Sequence, residues 1–319
     1  MIERPDVDAL MAGELGQWLQ GQAAERDEAR KATNKRRFIV VLVLAPAILF
    51  VWIAFRLDFG PIFALSVITF GFGLAWAEIP KKRAIRKVKE GINHAIAGAL
   101  RLEYAHDCEP ERPFELAKLC RLVPDHDRGR FEDRWSGHFG DIPFALHEAK
   151  LEKRRGSGKN RRWVTVFRGI IMSVGYKRRF HGTTILVRDN AHRKFWGGKK
   201  DHVTVDGLQL DYAEMVHPDF EDAFDIYTSD QVEARHLIDP LYVEQLIALE
   251  HAYSGSNVGT IFHEGSLVVA LKAENMFESG NIEARRDRAM IERTLDQFGR
   301  LAALAKTLNE REPVPGERF

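Results

Sequence analysis

The densest cluster of polar residues in the sequence is Ser229–Arg235, which places two carboxylates, a hydroxyl and a guanidinium within a few residues. Asp230, Glu233 and Arg235 are residue types that serve enzymes as general acid, general base and anion clamp. The same spacing also suits the start of a helix, because Asp230 is a good N-cap and a capping box places Glu three residues later. We favour the helix cap, and a catalytic site near Asp230–Arg235 stays as the alternative.

No established catalytic motif is present elsewhere in the sequence. A Walker-type phosphate loop, a Gly-x-Ser-x-Gly elbow and a His-Glu-x-x-His helix are all absent. The histidines are scattered, and Cys108 and Cys120 lack the second pair of ligands that a zinc site needs. We therefore predict no catalytic residue, no cofactor and no metal site, and we interpret both cysteines as small reduced thiols.

A run of cations separates two segments that have the composition of strands. The cations are Lys153, Arg154, Arg155, Lys159, Arg161 and Arg162. Close to a membrane, each could contribute about 1 kcal/mol of attraction to anionic headgroups. At the solvated tip of a hairpin, they would contribute little. The sequence leaves both alternatives open for the basic turn 153–162.

Two apolar runs without a charged residue, Phe38–Phe55 and Phe59–Ala77, lie almost back to back and are separated only by Arg56–Asp58. As a helix, each run would span roughly 27–29 Å, close to the hydrocarbon thickness of about 30 Å. We predict a transmembrane helical hairpin, with a kink at Pro46. The alternative is a buried hairpin of a soluble protein, but such helices seldom run this far without a charge.

Basic residues flank both outer ends of the predicted hairpin. They are Lys31, Lys35, Arg36 and Arg37 before the first run, and Lys81, Lys82, Arg83, Arg86, Lys87 and Lys89 after the second. Because basic flanks stay on the cytoplasmic side, we predict a multi-pass membrane protein with both termini in the cytoplasm.

Helical periodicity continues on both sides of the hairpin. Residues 1–37 are predicted to contain an amphipathic helix whose apolar stripe includes Val7, Leu15 and Leu19. This stripe packs on the protein itself, or it contacts the membrane surface or a partner, and we favour the first. Lys81–Tyr104 is predicted to be a stalk helix with an a/d seam. The seam packs within the chain or against a second copy, and intramolecular packing is slightly favoured.

Short strands and turns dominate the chain beyond the stalk. The predicted elements are a helix at Phe114–Leu122, a hairpin of Phe144–Lys153 and Arg162–Val174, strands at Thr183–Val187, His202–Val205 and Phe224–Thr228, a helix from Pro240 to His251, a hairpin of Thr260–His263 and Leu267–Lys272, and a helix at Arg285–Asn309. Consecutive hairpins with one inserted and one terminal helix predict an α+β fold with a mostly antiparallel sheet.

The predicted organisation has five parts. They are an N-terminal cytoplasmic helix (1–37), a transmembrane hairpin (38–79), stalk and connecting helices (80–124), a cytoplasmic α+β domain (125–309) and a flexible tail (310–319). Within the domain, Gly169 and Gly182 follow or divide strands. Glycine at such positions often marks a bulge or a close backbone approach, so we predict that both are structural.

Overall charge argues against one class of partner. The chain has 47 basic and 46 acidic residues. A nucleic-acid-binding protein usually shows a clear basic excess, so no nucleic-acid partner is expected.

Three segments carry a resemblance to a known family. They are Phe167-Arg168-Gly169, Phe180–Thr184 and Tyr227–Arg235, and the string Asp-Gln-Val-Glu-Ala-Arg is the specific part. Together with the apolar hairpin, they resemble a widespread bacterial family of membrane proteins classified only as a domain of unknown function. The resemblance spans roughly residues 35–305 and implies two membrane spans followed by a cytoplasmic domain, hence the bacterial inner membrane. It implies no activity.

The leading hypothesis is a membrane-anchored binding or scaffold module whose partners are the lipid bilayer and a protein. A membrane-bound enzyme and an accessory subunit of a membrane transport complex are the alternatives. A pocket with converging acidic or histidine side chains would favour the enzyme. An exposed apolar patch would favour the module.

Overall fold

The protein is described by a computed structural model. The described residues are 4–55, 59–176, 180–188, 200–205, 207–214, 224–253, 255–274 and 276–309. The predicted turn Arg56–Asp58 and the predicted tail 310–319 lie outside the described residues.

The chain divides into two compact units. The helical unit comprises Pro5–Ile96 and Glu278–Thr294, and the sheet unit comprises mainly Ala97–Phe277 and Leu295–Phe319. The described helices are α1 (Val7–Ala12), α2 (Glu14–Ile39), α3 (Ala45–Phe55), α4 (Phe59–Leu100), α5 (Arg112–Leu119), α6 (Gln231–Leu237), α7 (Pro240–Ala252) and α8 (Asp287–Asn309).

Helices α2 and α3 are joined by a π-helical turn at Val40–Leu44. This irregular turn lies directly before Pro46, whose ring and missing N–H disturb the hydrogen bonds of the preceding turn. The first apolar run is therefore helical but departs from regular α geometry at the place where the sequence predicted a kink. In the second half of the hairpin, α4 continues without a break from the apolar run into the predicted stalk.

Within the helical unit, α2 packs against the C-terminal half of α4. The Trp18 ring fills the space beside Gly91, where a Cβ would collide with the indole. Val88 and Ile92 of the predicted stalk seam are buried inside the protein, as are Leu15 and Leu19 of the N-terminal stripe. Both apolar faces thus pack intramolecularly, as favoured from the sequence.

One buried ion pair fixes α2 to the first residue of α8. Both guanidinium NH groups of Arg26 donate to the carboxylate of Asp287 at 2.8 Å, and both side chains are almost fully buried. Removing one partner of such a pair leaves an uncompensated buried charge, which costs about 3–5 kcal/mol.

The sheet unit is built on one sheet of ten strands, in the order β1-β2-β3-β4-β10-β9-β5-β8-β7-β6. The strands are β1 (Leu102–Asp107), β2 (Arg128–Phe139), β3 (Ile142–Arg155), β4 (Arg162–Gly175), β5 (Thr184–Arg188), β6 (His202–Val205), β7 (Leu208–Tyr212), β8 (Phe224–Thr228), β9 (Ser256–His263) and β10 (Ser266–Lys272). All nine pairs of neighbours are antiparallel. The α+β prediction is therefore confirmed.

Both faces of the sheet are covered. On one face, Phe114 of α5 packs into a core that includes Leu151, Phe167, Ile185 and Ile261. Alternate residues of the same strands point to the other face, because side chains in a strand have a period of two.

Helices α7 and α8 cover the second face. The Tyr242 ring lies 5.3 Å from the Phe262 ring, and its hydroxyl donates to Thr260 Oγ1 at 2.9 Å. The Phe298 ring of α8 lies 4.3 Å from the fully buried Trp135 of β2. The C-terminal helix thus completes the core, as its apolar stripe predicted.

Two strands lie where the sequence predicted something else. The stalk helix was expected to reach Tyr104, but it ends at Leu100, and Leu102–Asp107 forms the edge strand β1. Residues Arg128–Phe139, most of which were not predicted as a strand, form β2. The sheet therefore begins inside the segment that was assigned to stalk and connecting helices.

Gly169 lies at a close backbone approach, which confirms its structural role. A Cβ there would overlap the Leu271 carbonyl oxygen and lie 2.9 Å from the Ala273 amide nitrogen. Any side chain would push β10 away from β4 at the end of their pairing.

His147 gives the sheet unit a pH dependence. The side chain is buried between the rings of Phe114 and Phe131. Burial, with a smaller contribution from the Arg134 charge, lowers the pKa of His147 from 6.5 to about 4. The unfolded chain binds a proton there as the pH falls through 6.5, whereas the folded protein resists protonation until about pH 4. The stabilisation is therefore complete above the unfolded pKa and is lost between these two values.

We predict that wild type loses on the order of 3 kcal/mol more stability than the His147→Gln variant between pH 7 and pH 4. Chemical unfolding of both proteins, followed by tryptophan fluorescence across this range, measures the difference. Parallel pH profiles of wild type and variant would contradict the assignment.

Candidate functional site

The outer surface of the apolar hairpin is exposed. Two helical segments, Glu14–Ile53 and Phe63–Leu100, are long and apolar enough to cross a membrane, and only 6% of the most apolar window of each is buried inside the protein. The exposed large apolar side chains of this region are Phe38, Ile39, Val41, Leu42, Val43, Leu49, Phe50, Val51, Ile53, Phe63, Leu65, Val67, Ile68, Phe72, Leu74 and Trp76. Soluble monomers rarely expose a contiguous apolar surface of this size.

The inner surface of the hairpin packs helix against helix. A Cβ at Gly73 would lie 2.8 Å from Leu44 Cδ1 and 3.0 Å from Val40 Cγ1. The missing side chain therefore lets α4 approach the π-helical turn closely, as small residues do between membrane helices.

Polar contacts mark the end of the apolar surface. The Arg36 guanidinium lies over the Trp76 ring, 4.6 Å from its centroid, and also donates to the Trp76 carbonyl at 3.4 Å. One residue along α2, Arg37 pairs with Glu78 of α4. An aromatic ring with a cationic neighbour at the end of an apolar helix is typical of a membrane–water interface.

The predicted helix cap at Asp230 is confirmed. Its side chain accepts hydrogen bonds from the backbone N–H groups of Val232 at 2.9 Å and Glu233 at 3.0 Å, at the start of α6. The Asp230 amide donates in turn to Thr228 Oγ1 at 3.1 Å. The carboxylate of Asp230 is thus engaged with the backbone of its own helix.

Glu233 does not complete a capping box, so this part of the interpretation is wrong. Its carboxylate accepts from the backbone N–H groups of His181 at 2.8 Å and Gly182 at 2.7 Å. Hydrogen bonds from backbone N–H groups to an ionised carboxylate are charge-assisted and strong. Glu233 therefore clamps the segment before β5 to α6, a contact that no local sequence pattern could predict.

Gly182 packs directly against this clamp, so its predicted structural role would act through the Glu233 carboxylate. A Cβ at Gly182 would lie 2.6 Å from Glu233 Oε2 and 3.1 Å from Ser229 Oγ. The hydroxyl of Ser229 accepts from the Thr183 amide at 2.9 Å, and the Ser229 amide donates to the Thr183 carbonyl at 3.0 Å. The motif segments 180–184 and 227–235 thus meet through backbone hydrogen bonds.

Arg235 and the arginines of the basic turn face solvent. Arg235 is exposed on α6, and within the described residues it makes no ion pair. The basic turn joins β3 to β4 as predicted, with Arg154, Arg155, Arg161 and Arg162 exposed. Nothing in this arrangement brings Arg235 towards the two carboxylates in the manner of an anion clamp.

The thiols are protonated at neutral pH. Burial raises the pKa of Cys108 to about 11 and that of Cys120 to about 12, so neither is an activated nucleophile. Within the part of the chain that the structure describes, no group of three or more His, Cys, Asp and Glu side chains could hold a metal ion.

A buried cluster of titratable side chains joins β1 to β2. The fully buried Asp133 accepts from the Tyr104 hydroxyl at 2.6 Å, and its carboxylate lies 3.0 Å from His106 Nδ1. Asp133 has a left-handed φ of 53° at a β-bulge between Glu132 and Trp135. Buried polar groups at a bulge fix the local twist, so we interpret the cluster as the fastening of the edge strand.

Sequence reasoning missed Asp133. The β-bulge moves the strand from one face to the other, so that Phe131 packs against Phe114 and Trp135 against Phe298, and no period of two marks Asp133 in the sequence.

Comparisons with known proteins give one family and one structural neighbour. Residues 165–310 match the profile of a family described as a protein of unknown function, DUF3137. The match contains all three resembling segments and begins after the hairpin. No curated protein matches the sequence.

The crystal structure of the mycobacterial trehalose monomycolate transport factor A, TtfA, aligns with 73% of this chain and 99% of its own, with 11% identity and a TM-score of 0.32. At that level of similarity, neither its fold nor its role is transferred to this chain.

The clamp predicts an energetic coupling between Gly182 and Glu233. Gly182→Ala should destabilise the protein by about 1–3 kcal/mol, because the new methyl group displaces a carboxylate that satisfies two backbone donors. In a Glu233→Ala background, the same substitution should cost far less, since the carboxylate is already gone.

Chemical unfolding of the four proteins of this double-mutant cycle measures the coupling. Val232→Ala is the matched control, because Val232 is 65% exposed on the same helix and should be near neutral. Additive effects of Gly182→Ala and Glu233→Ala would show that Gly182 does not act through the clamp.

Proposed function

We propose that the protein is a membrane-anchored binding or scaffold module of the bacterial inner membrane. Residues 38–79 form the anchor, and the sheet unit works on the cytoplasmic side. The observation that carries this proposal is the outward-facing apolar surface of the two hairpin helices.

Burial energetics support the anchor. Phe50 is 68% exposed and Phe72 is 74% exposed. Removing a large apolar side chain from water contributes about 1.5–3 kcal/mol, and more than ten such side chains share this surface. Insertion into hydrocarbon would remove all of these side chains from water at once.

Charge supports the orientation. Cations precede α3 and follow the apolar half of α4, and Arg36 and Arg37 lie where the exposed apolar surface ends. By the positive-inside rule, both flanks face the cytoplasm, and with them both termini.

A binding role fits the motif cluster better than catalysis does. Asp230 and Glu233, the candidate acid and base, both accept backbone hydrogen bonds. Carboxylates held in this way position a loop and a helix rather than a reacting atom. The motif then acts as a structural support for the surface that the sheet unit presents to a partner.

The topology predicts the behaviour of reporter fusions. Alkaline phosphatase, which is active only outside the cytoplasm, should be inactive when fused to either terminus of the full chain, and a cytoplasmic fluorescent reporter should be active at both. Insertion of alkaline phosphatase into the hairpin turn is the matched control and should give activity. Phosphatase activity at one terminus would overturn the two-span topology.

A further inference from the structure

Beside the end of β10, the sheet opens into a groove of about 770 Å³. Strand β4 pairs with β3 over its whole length, from Arg162, but it pairs with β10 only from Gly169 onward. The segment Arg162–Phe167 therefore has no second partner strand among the described residues, whereas the Arg168 carbonyl accepts a hydrogen bond from the Ala273 amide at 2.9 Å. The groove lies along this unpartnered edge.

The groove is rich in hydrogen-bond donors. Lys150, Arg168 and Lys272 line it, together with the hydroxyl residues Thr165 and Ser256. Glu274 is the one acidic residue among the described lining residues. Lys150 and Arg168 reach the cavity from one face of the sheet and Lys272 reaches it from the other, so three neighbouring strands bring cations to one opening at the unpartnered edge.

Two of these cations are placed where a sheet does not favour them. Lys150 and Arg168 lie directly opposite each other on β3 and β4. Like charges at directly opposed positions destabilise a sheet. Glu152 pairs with Lys150 at 3.0 Å but also with Arg128. One carboxylate therefore serves two cations, and within the described residues Arg168 has no acidic partner.

Protection of a strand edge does not account for the whole set. Cations and bulges on an edge strand prevent it from pairing with other chains, and β4 has a register shift opposite Leu151 and Glu152. Lys272, however, lies at the end of a strand that is paired on both sides, with Gly169 and with Ser256. Lys272 is exposed and has no acidic partner among the described residues, so its charge is available to a ligand in the groove.

We propose that this groove binds a phosphate ester, with Arg168, Lys272 and Lys150 as its charge partners and Thr165 and Ser256 as neutral donors. Three cations and two hydroxyls exceed what the two oxygens of a carboxylate can use, whereas a phosphate group offers three or four acceptor atoms. The volume lies within the range of small-molecule sites.

The inference names a ligand class for the binding role proposed above, and it is independent of the membrane anchor. The phosphate group belongs to a soluble phosphorylated molecule or to a phospholipid headgroup, and the two sources share the same recognition chemistry. Binding measurements on the full chain can separate them.

The test uses the full chain in nanodiscs of phosphatidylcholine, titrated with inorganic pyrophosphate by isothermal calorimetry. We expect saturable binding, weakened at least about tenfold in Arg168→Gln and in Lys272→Gln because each loses a charge-assisted contact. Arg168→Lys keeps the charge and should retain part of the affinity. Both Gln variants change exposed or half-buried side chains, so unchanged melting temperatures confirm their folding.

Arg300→Gln is the matched control. Arg300 is exposed on α8, outside the groove, and its removal changes the net charge equally. It should alter the affinity by less than about twofold. An equal loss in Arg300→Gln, or no saturable binding of pyrophosphate to wild type, would overturn the proposal.

Nanodiscs that contain phosphatidylglycerol identify the source. If phosphatidylglycerol in these discs weakens the apparent affinity for pyrophosphate, the groove binds a lipid headgroup. If the affinity for pyrophosphate is unchanged, the groove binds a soluble phosphate ester. If the protein fails to bind pyrophosphate but has cytoplasmic termini, only the proposed phosphate site is contradicted. If it binds pyrophosphate but has a different topology, only the proposed anchor is contradicted.

Discussion

The removal of apolar side chains from water is the constraint on which this structure depends. Outside the hairpin, large apolar residues are mostly buried, many below 2% exposure, yet Phe50, Phe63 and Phe72 are all more than half exposed. The difference is too regular to reflect poor packing, because the same helices approach closely at Gly73 and Val40 on their inner side. The fold therefore separates two surfaces, one suited to protein contacts and the other to hydrocarbon.

The residues next to that surface follow from the same constraint. A cation stacked on a ring at Arg36 and Trp76 and an ion pair between Arg37 and Glu78 stand where the apolar surface ends. Further along, the helical unit depends on contacts within the protein, including the buried pair of Arg26 and Asp287. The order along the helices, from exposed apolar surface through the contacts of Arg36 and Arg37 to packed protein, is what the proposed membrane anchor requires.

The carboxylates whose chemistry would suit catalysis have structural roles in this chain. Asp230 caps a helix, Glu233 clamps a loop, and Asp133 fastens an edge strand at a bulge. Each carboxylate accepts hydrogen bonds from groups of the protein itself, and these bonds stabilise the fold. The groove beside β10 differs, because there the cations Arg168 and Lys272 exceed the acidic groups that could balance them.

Local patterns predicted the elements whose side chains have a regular period and whose ends have clear signals. The helix α7 begins at Asp239-Pro240, a cap followed by a proline at the first turn, and the Tyr242 amide donates to that cap at 2.8 Å. Strands β6 and β8 were predicted with the observed ends.

Other features depended on contacts between residues far apart in the chain. Strand β2 carries charges, two glycines and a bulge, which hide its alternation, and β1 follows a helix whose composition continues past its end. Glu233 accepts a hydrogen bond from the amide of His181, which is 52 residues away in the chain. The spacing of nearby residues indicated only a capping box and could not indicate this contact. The groove arises from the place where one strand ends beside another, which composition alone does not encode.

Peptide-resolved labelling with an apolar photoactivatable diazirine, partitioned into native membranes, tests the central claim most directly. The account predicts adducts on the outer face of the hairpin, at residues such as Phe50, Ile53, Ile68 and Phe72, and few adducts on Val88 or Ile92 of the buried stalk seam. Equal labelling of the hairpin and the stalk seam, or labelling confined to the sheet unit, would contradict insertion of the hairpin into the membrane.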